Sequence, residues 1–361
     1  MMQEFKYTPQ VYIFGAHSRA KTLKGYLQLL YPEIKILSFL VDEIDGNELS
    51  IDGIPVQLLN SIEQIDCSCN VFIATKGIYH AAIQDRLLKK GVYRIIPVTV
   101  EIDNFLRNAY VRKYYSQEHM KFKKISDLYD NQLQVAIYMA KSIYDKPLQT
   151  AYQCPDYEKM IQAGAALTKQ RLMPDIFVDC EGENISLKNR QYCELTVLYW
   201  IWKNAKEDIV GLSHYRRHFI LPDKWQNIMI SNKVDVILPV PTFVYPSIEE
   251  NYKDRHDSMD WDYLMKYLLE NYLEDYKVAK QVFSSNLYLP CNMFIMKKEI
   301  LNDLCKWMFP VLDAVVKYCG DKEDSYQNRY PGFISERLIT LYFHKYNNKY
   351  KIVFADKNFI Q

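Results

Sequence analysis

The residues best suited to chemistry form one cluster, Ser213-His-Tyr-Arg-Arg-His218, directly after an apolar, strand-like run at Ile209–Leu212. Arg216 and Arg217 carry planar donor forks that fit the oxygens of phosphate groups. In open α/β sheets, ligands lie beyond the carboxyl ends of the strands. The alternative is structural, with both arginines in salt bridges and His214 a buried, satisfied histidine. We favour a site for a phosphate-bearing ligand.

Two carboxylates are candidates to accompany this cluster. Glu194 is predicted one turn into a helix over residues 191–204. There it could bind a ligand hydroxyl or hold an arginine in place, and stabilisation by the helix dipole explains it equally well. Glu336 follows Pro331-Gly-Phe-Ile, so a helix beginning at Ser335 would carry it at its N-terminus. An ordinary capping sequence is the alternative for Glu336.

These groups need a sheet to position them, and the C-terminal part of the chain predicts one. Short apolar runs alternate with helical periodicity from residue 133 onwards, which is typical of an α/β domain. The predicted strands lie near residues 133–139, 176–178, 209–212, 234–239 and 292–296, and the predicted helices at 191–204, 259–272 and 300–318.

The N-terminal part shows the same alternation and predicts a parallel, doubly wound sheet over residues 8–105. Gly15 follows its first strand and Asp42 its second, as in dinucleotide-binding domains. Only one glycine of the GxGxxG pattern is present, so we place structural support or partner contact ahead of catalysis.

Residues between the two sheets are dense in Tyr, Lys and Arg, and they predict one or two connecting helices. Interleaved basic and aromatic residues can bind single-stranded nucleic acid. However, Glu118, Asp127 and Asp130 lie among them, so a solvated linker is favoured. The predicted organisation is a Rossmann-like domain at 1–105, a helical linker at 106–132 and a second domain at 133–361.

Composition narrows the classes of function. The 361 residues carry 45 basic and 44 acidic side chains, so no global positive field holds a nucleic acid. The eight cysteines are scattered and lack zinc-site spacing, which favours reduced thiols. No secretion signal and no apolar run long enough to span a membrane is visible, which predicts a cytoplasmic protein.

Four blocks carry a resemblance: NISLKNRQYCELTVLYWIWKN (184–204), VGLSHYRRHF (210–219), CNMFIMKK (291–298) and PGFISERL (331–338). In that order they resemble the family catalogued as domain of unknown function 4422, over roughly residues 133–361. The resemblance implies a glycosyltransferase of surface polysaccharide synthesis with a GT-A-type fold. Galactofuranosyl transfer is among the activities assigned to that family. FLVDEIDGNELSIDGIPV (39–56) resembles the Rossmann-like domain of bacterial sugar acyltransferases, which can bind a nucleotide-sugar.

The resemblance also implies roles for single residues. Metal-dependent GT-A enzymes end the corresponding strand in a DxD motif, whereas this chain has Ser213-His-Tyr215. We therefore expect His214, Arg216 and Arg217 to stabilise the leaving diphosphate without a required cofactor. Mg²⁺ or Mn²⁺ stays an alternative, because Asp254, Asp257 and Asp260 lie nearby in sequence. Glu336 is the predicted catalytic base.

Further residues are predicted to contact the two substrates. Aromatic side chains are expected to stack on the sugar rings of the acceptor. The structural alternative for Asp260 is that it serves only as the N-cap of a helix over Trp261–Tyr272. The predicted donor-binding residues are Lys141, Gly164, Asn184, Lys188, Asn189, Glu194 and Tyr215, and the predicted acceptor-binding residues are His256, Asp260, Trp261, Asn292 and Arg337.

The expected reaction moves a hexose, of galactose or galactofuranose type, from a UDP-sugar to a lipid-linked or oligosaccharide acceptor with inversion. A lipid-linked acceptor would bring the protein to the inner face of the membrane, and a homo-oligomer stays open. The alternative is a non-catalytic nucleotide-sugar-binding or scaffolding protein, whose many tyrosines would face partners. A nicotinamide-dependent enzyme using Gly15 and Asp42 is the least favoured.

Overall fold

The computed structural model describes residues 9–62, 65–66, 68–128, 135–149 and 153–360. The chain divides into two compact units. Unit 1 contains residues 1–121 with 243–245, and unit 2 contains residues 122–242 with 246–361. Each unit has its own sheet with helices, which confirms the predicted two-domain α/β class.

Unit 1 contains a six-stranded sheet in the order β3-β4-β2-β1-β5-β6. All of its pairings are parallel except that of β3 with β4. Without β3, the chain order of the strands is that of the Rossmann fold, which confirms the predicted doubly wound sheet. The strands are β1 (Gln10–Phe14), β2 (Lys35–Val41), β3 (Ser50–Ile51), β4 (Ile54–Leu58), β5 (Asn70–Ile73) and β6 (Ile95–Pro97).

Three helices are described in unit 1: α1 (Ser18–Leu30), α2 (His80–Lys89) and α3 (Val100–Gln117). Helix α3 begins after Thr99, whose side chain accepts a hydrogen bond from the Ile102 N–H. It crosses the boundary predicted at residue 105, because it buries Leu106 and Val111 and so belongs to unit 1. Of the predicted linker, residues 129–132 lie outside the described residues.

Unit 2 contains an eight-stranded mixed sheet in the order β11-β16-β12-β15-β10-β7-β8-β9. Its strands are β7 (Val135–Lys141), β8 (Glu158–Gln162), β9 (Phe177–Val178), β10 (Ile209–His214), β11 (Phe219–Ile220), β12 (Val236–Pro239), β15 (Phe294–Lys297) and β16 (Ile352–Lys357). Two further short strands occur among the described residues, β13 (Thr242–Phe243) and β14 (Leu287–Tyr288). Residues 133–134 of the predicted first strand lie outside the described residues.

Strand β10 runs through the centre of this sheet. It pairs in parallel with β7 and antiparallel with β15. Gly211 allows this close packing, because a Cβ there would lie 2.9 Å from the Phe294 carbonyl oxygen and 3.1 Å from a side-chain carbon of Ile137. The register places His214 beside Ala140, so the carboxyl ends of β7 and β10 lie side by side.

Eight helices are described in unit 2, and two of them start differently from the sequence prediction. The predicted helix 191–204 is broken at Cys193, whose φ of +48° ends the first segment. Glu194 is therefore the residue just before the second segment. The last helix begins at Tyr330 and not at Ser335. The helices are α4 (Asn189–Tyr192), α5 (Leu195–Asn204), α6 (Trp225–Ser231), α7 (Ile248–Arg255), α8 (Ser258–Asn271), α9 (Leu273–Phe283), α10 (Lys298–Cys319) and α11 (Tyr330–Lys345).

The early start of α11 has a physical reason. Pro331 lies in its first turn, where the backbone N–H that proline lacks has no partner within the helix. Glu336 consequently lies in the second turn, so the prediction that it sits at the helix N-terminus is wrong. No helix in the described ranges is both long and apolar enough to cross a membrane.

Candidate functional site

The cluster that follows β10 is a tight turn. His214 and Arg217 exchange both of their backbone hydrogen bonds, each 3.0 Å long. Tyr215 and Arg216 are therefore the two residues at the tip, and the Tyr215 N–H donates to the Ala140 carbonyl at 3.1 Å. The turn is thus attached to the end of β7, where ligands bind in such sheets.

Contacts with a buried carboxylate and with the C-terminal segment also hold the turn in place. His218 is buried, and its Nδ1 lies 3.0 Å from the Glu158 carboxylate. The Ser213 hydroxyl lies 3.2 Å from the same carboxylate. The Ile360 N–H donates to the Arg216 carbonyl at 2.8 Å. His218 is therefore a buried histidine with a hydrogen-bond partner, the structural role that was also the alternative for His214.

Arg216 and Arg217 are half-buried at this turn. Within the part of the chain that the structure describes, the buried Nε of Arg216 has no hydrogen-bond partner. The guanidinium of Arg216 lies 5.2 Å from the centre of the Tyr215 ring, and that of Arg217 lies 5.6 Å from the Phe359 ring. A buried donor without a partner is costly, so this arrangement favours an acceptor supplied by a ligand.

His214 links the turn to the segment before β15. Its Nε2 lies 2.6 Å from the Cys291 carbonyl oxygen, so this nitrogen carries the proton. Burial lowers the pKa of His214, which keeps the ring neutral. The backbone N–H of Cys291 in turn donates to the Glu336 carboxylate. His214 therefore positions the segment that binds Glu336 and has no free Nε2 for proton transfer.

The Glu336 carboxylate also accepts a hydrogen bond from Nη1 of Arg337 at 2.7 Å. Burial raises the pKa of Glu336, while Arg337, the Cys291 N–H and Arg217 act to lower that pKa. Arg217 lies close enough to Glu336 to act on its charge, and the carboxyl group is a stronger base than an exposed glutamate.

Glu194 lies at the same site and is held by Asn292. The Asn292 amide donates to Glu194 at 2.8 Å and to the Gly332 carbonyl at 3.1 Å, while the Ser335 hydroxyl donates to its Oδ1 at 2.8 Å. Glu194 acts electrostatically on both His214 and Glu336. Asn292, predicted to bind the acceptor, therefore positions Glu194 against α11.

Two charged residues at the site escaped the sequence analysis. Arg329 precedes α11, and its Nε lies 3.1 Å from Sγ of Cys193. Burial raises the pKa of Asp145, whereas Lys141, Arg216 and Arg329 act to lower it, so all three cations lie within electrostatic range of this carboxylate. Arg329 could have been noticed because it directly precedes the block PGFISERL, but Asp145 lies in a loop without a local signal.

Some predicted donor-binding residues instead build the loop beside α4. Gly164 has φ of +67°, and a Cβ there would lie 2.5 Å from Oδ1 of Asn189. The Asn189 amide donates to the Cys193 carbonyl at 2.7 Å. The centre of this loop is the buried Asp179, which the sequence analysis missed. Its carboxylate accepts hydrogen bonds from Gly164 N, Ala165 N, Ser186 Oγ and Thr196 Oγ1.

The other predicted donor-binding residues divide into two groups. Lys141 at the end of β7, Tyr215 and Glu194 lie at the site with the arginines. The contacts of Asn184 and Lys188 are elsewhere. The Asn184 amide donates to the Cys180 carbonyl at 2.9 Å, and Lys188 pairs with Asp313 at 3.3 Å.

The predicted acceptor-binding aromatic residues are largely internal. Trp261 is fully buried against Tyr252 and Phe283, so its ring presents no face to a sugar. His256 stacks on Phe333 at 4.1 Å, and burial lowers its pKa to about 4. Arg337 is buried, with its guanidinium 4.3 Å from the Tyr288 ring centre.

Asp260 is buried as well and pairs with Lys322 at 2.6 Å. It is not the cap of a helix starting at Trp261, because α8 begins at Ser258 and is capped by the Asp257 side chain. Burial raises the pKa of Asp260. This carboxylate is therefore paired with Lys322 inside the protein and is not presented to a ligand.

A divalent cation has poor ligands at the turn. Mg²⁺ and Mn²⁺ prefer oxygen ligands, above all carboxylates. The turn offers an imidazole and two guanidinium groups. The carboxylates of Glu158, Glu194 and Glu336 already have hydrogen-bond partners within the protein. In the described ranges, no three His, Cys, Asp or Glu side chains are grouped to hold a metal ion.

Replacing Asp179 by asparagine is expected to lower the free energy of unfolding by about 1–3 kcal/mol, because a buried amide group would face donors that now have an acceptor. Urea denaturation at neutral pH measures the change. Asp262→Asn is the matched control, because Asp262 is exposed and its pair with Lys253 is solvated. Equal unfolding midpoints for the two variants would contradict a structural role for Asp179.

No curated protein sequence matches the chain. The solved apo structure of the WbbM bifunctional glycosyltransferase is similar to it, with a TM-score of 0.54 and 25% sequence identity. The similarity covers 63% of this chain and 46% of that chain, so the chain spans less than half of that protein's length. The profile of the family described as domain of unknown function DUF4422 matches residues 137–349, well over half of the chain. The chain therefore belongs to the DUF4422 family.

Proposed function

We propose that this protein is a glycosyltransferase. It moves a hexose, of galactose or galactofuranose type, from a UDP-sugar to a lipid-linked or oligosaccharide acceptor of surface polysaccharide. The similarity to the WbbM bifunctional glycosyltransferase supports transfer of a sugar. The observation that carries the proposal is the setting of the two arginines. Arg216 and Arg217 lie at a strand end within electrostatic range of carboxylates. Among the described residues, the buried Nε of Arg216 has no hydrogen-bond partner.

The arginines bind the diphosphate of the donor in this proposal. Their planar forks match its oxygen atoms and stabilise the negative charge that develops as the bond to the sugar breaks. The turn between β10 and β11 holds both guanidinium groups in place, because His218, Glu158 and the backbone of Ile360 support it from the buried side. This role requires no metal ion.

Glu336 is the proposed base. An acceptor hydroxyl oxygen forms a bond to the anomeric carbon, its proton passes to Glu336, and the bond to the diphosphate oxygen breaks with its electron pair on the diphosphate. Attack from the opposite face inverts the anomeric configuration. The raised pKa of Glu336 makes proton transfer near neutral pH more favourable. Glu194 accepts a hydrogen bond from a substrate hydroxyl beside it.

The grouping of these side chains favours the transferase over a scaffolding protein. A scaffold has no need for arginines, a neutral histidine and two carboxylates around one strand end. In the structure, Arg217 acts on the pKa of Glu336, and Glu194 acts on the pKa of His214. A buried carboxylate with a perturbed pKa beside an arginine, as at Glu336, is typical of reaction centres.

Release of UDP tests the proposal. The full-length chain is incubated with UDP-galactose, UDP-galactofuranose or UDP-glucose, with and without oligosaccharide acceptors, and free UDP is measured. We expect release that depends on the acceptor and is fastest with a galactose-type donor. GDP-mannose serves as the control donor. If no UDP-sugar is bound or turned over with any acceptor, the protein is not this transferase.

A further inference from the structure

Unit 2 contains a pocket that the proposed reaction does not use. It lies between helices α9, α10 and α11 and has a volume of about 390 Å³. Pockets that bind small molecules have volumes of about 300–1,000 Å³. The space is therefore sufficient for a ligand, and its lining indicates which kind.

Four aromatic side chains form much of the wall: Tyr272, Trp307, Tyr342 and Tyr346. The ring centres of Trp307 and Tyr342 are 5.7 Å apart, and those of Tyr342 and Tyr346 are 4.7 Å apart. Tyr272, Trp307 and Tyr346 are only partly buried, so part of their surface faces the pocket opening. These rings combine apolar faces with polar edges.

Charged groups hold this wall in place and line the opening. Asp275 is buried, accepts a hydrogen bond from the Trp307 indole N–H at 3.0 Å and pairs with Lys345. The indole ring is consequently fixed before any ligand arrives. Asp303 and Lys306 also line the pocket and are exposed to solvent. Hydrogen-bond donors and acceptors therefore surround the aromatic faces.

The pocket is separate from the candidate site. None of its lining residues belongs to the turn at His214–Arg217 or to the groups around Glu336. On α11, Glu336 lies in the second turn, whereas Lys345 is the last residue of the helix. At a rise of about 1.5 Å per residue, the lining residue of α11 nearest to Glu336, Leu341, is about 7.5 Å from it along the helix axis, and Lys345 is about 13.5 Å from it. A ligand in this pocket therefore does not occupy the transfer site.

We propose that this pocket binds a saccharide segment. Pyranose rings present apolar C–H faces that stack on aromatic rings, and hydroxyl groups at their edges that pair with carboxylate and ammonium groups. The wall of Trp307, Tyr342 and Tyr346 with Asp303 and Lys306 at the opening matches both features. Only the role of the segment rests on the proposed function: it would be part of an acceptor chain held away from the transfer site.

Binding of defined saccharides tests the pocket without requiring turnover. Full-length protein is titrated with galactobiose, lactose, cellobiose and maltotriose, and saturation-transfer difference NMR reports which of them bind. Tyr346→Ala is expected to weaken binding of the best saccharide about tenfold, because a stacking face is lost. Tyr318→Ala is the matched control, since Tyr318 lies on α10 outside the pocket and is 58% exposed.

Lys306→Ala provides a second variant that leaves the aromatic packing intact, and thermal melting checks that both pocket variants fold. Binding that is weakened by Tyr346→Ala and Lys306→Ala but kept by Tyr318→Ala supports the proposal. Equal binding by all variants, or no binding of any saccharide to the unmodified protein, overturns it. Saccharide binding without UDP release would instead contradict only the proposed function.

Discussion

Glu336→Gln is expected to lower kcat by about 10²–10⁴-fold, the usual contribution of a general base. The glutamine oxygen can still accept the hydrogen bond from the Cys291 N–H, but the amide cannot take a proton. KM for the donor should change little, because the arginines that bind the diphosphate remain. Steady-state measurement of acceptor-dependent UDP release separates the two constants.

The pH dependence provides an independent readout of the same residue. A base works only when it is deprotonated, so kcat/KM should fall as the pH drops through the pKa of Glu336. Burial raises that pKa, which places the acid limb above the usual value of 4.5. Glu336→Gln should remove this limb from the residual activity. A limb that persists in the variant would assign it to another group.

Glu194→Gln is the comparison variant, because Glu194 lies beside Glu336 and is held by Asn292. We expect a larger effect on KM than on kcat, since the proposed role of Glu194 is to bind a hydroxyl. The reverse pattern, with kcat lost in Glu194→Gln and kept in Glu336→Gln, would transfer the role of base to Glu194.

Arg217→Ala is expected to lower kcat by about 10²–10³-fold, the effect of removing one donor that stabilises developing negative charge. Arg216→Ala should have a similar effect and should also weaken binding of UDP, which isothermal titration measures directly. Arg190→Ala is the control, because Arg190 is an exposed arginine of the same unit, on α4. Equal activity of all three variants would remove the arginines from the site.

A chelator distinguishes the arginines from a metal ion as the group that stabilises the diphosphate. The turn carries guanidinium groups in place of a carboxylate pair, so we expect UDP release to continue in EDTA and added Mn²⁺ to increase it little. Activity that disappears in EDTA and returns with Mn²⁺ would assign this role to a metal ion. The family membership would be unaffected by that result.

Much of the fold could be predicted because strands and turns depend on residue patterns within short segments of the chain. The apolar run of β10, its glycine and the polar residues that follow are contiguous, so the strand and the position of Arg216 and Arg217 after it were visible in the sequence. Helix ends were less predictable. The break at Cys193 and the start of α11 at Tyr330 depend on packing that periodicity does not report.

For side chains, the sequence likewise revealed the residue type but not whether the side chain is buried. Trp261 and Asp260 have residue types that suit sugar binding, but the structure buries both. Asp179 appeared ordinary in sequence, yet its carboxylate joins four hydrogen-bond donors from three segments of the chain. Residue type indicates what a side chain can do, whereas burial decides what it can reach.

The sequence by itself determined the α/β class, the two sheets and the strand that carries the arginines, because hydrophobic periodicity and turn residues act over a few positions. Only the tertiary structure decided which groups meet. His214 with Cys291, Cys291 with Glu336, and Glu194 with Asn292 are separated by 77, 45 and 98 positions. Contacts over such distances depend on how strands and helices pack together, and no local pattern in the chain encodes that packing.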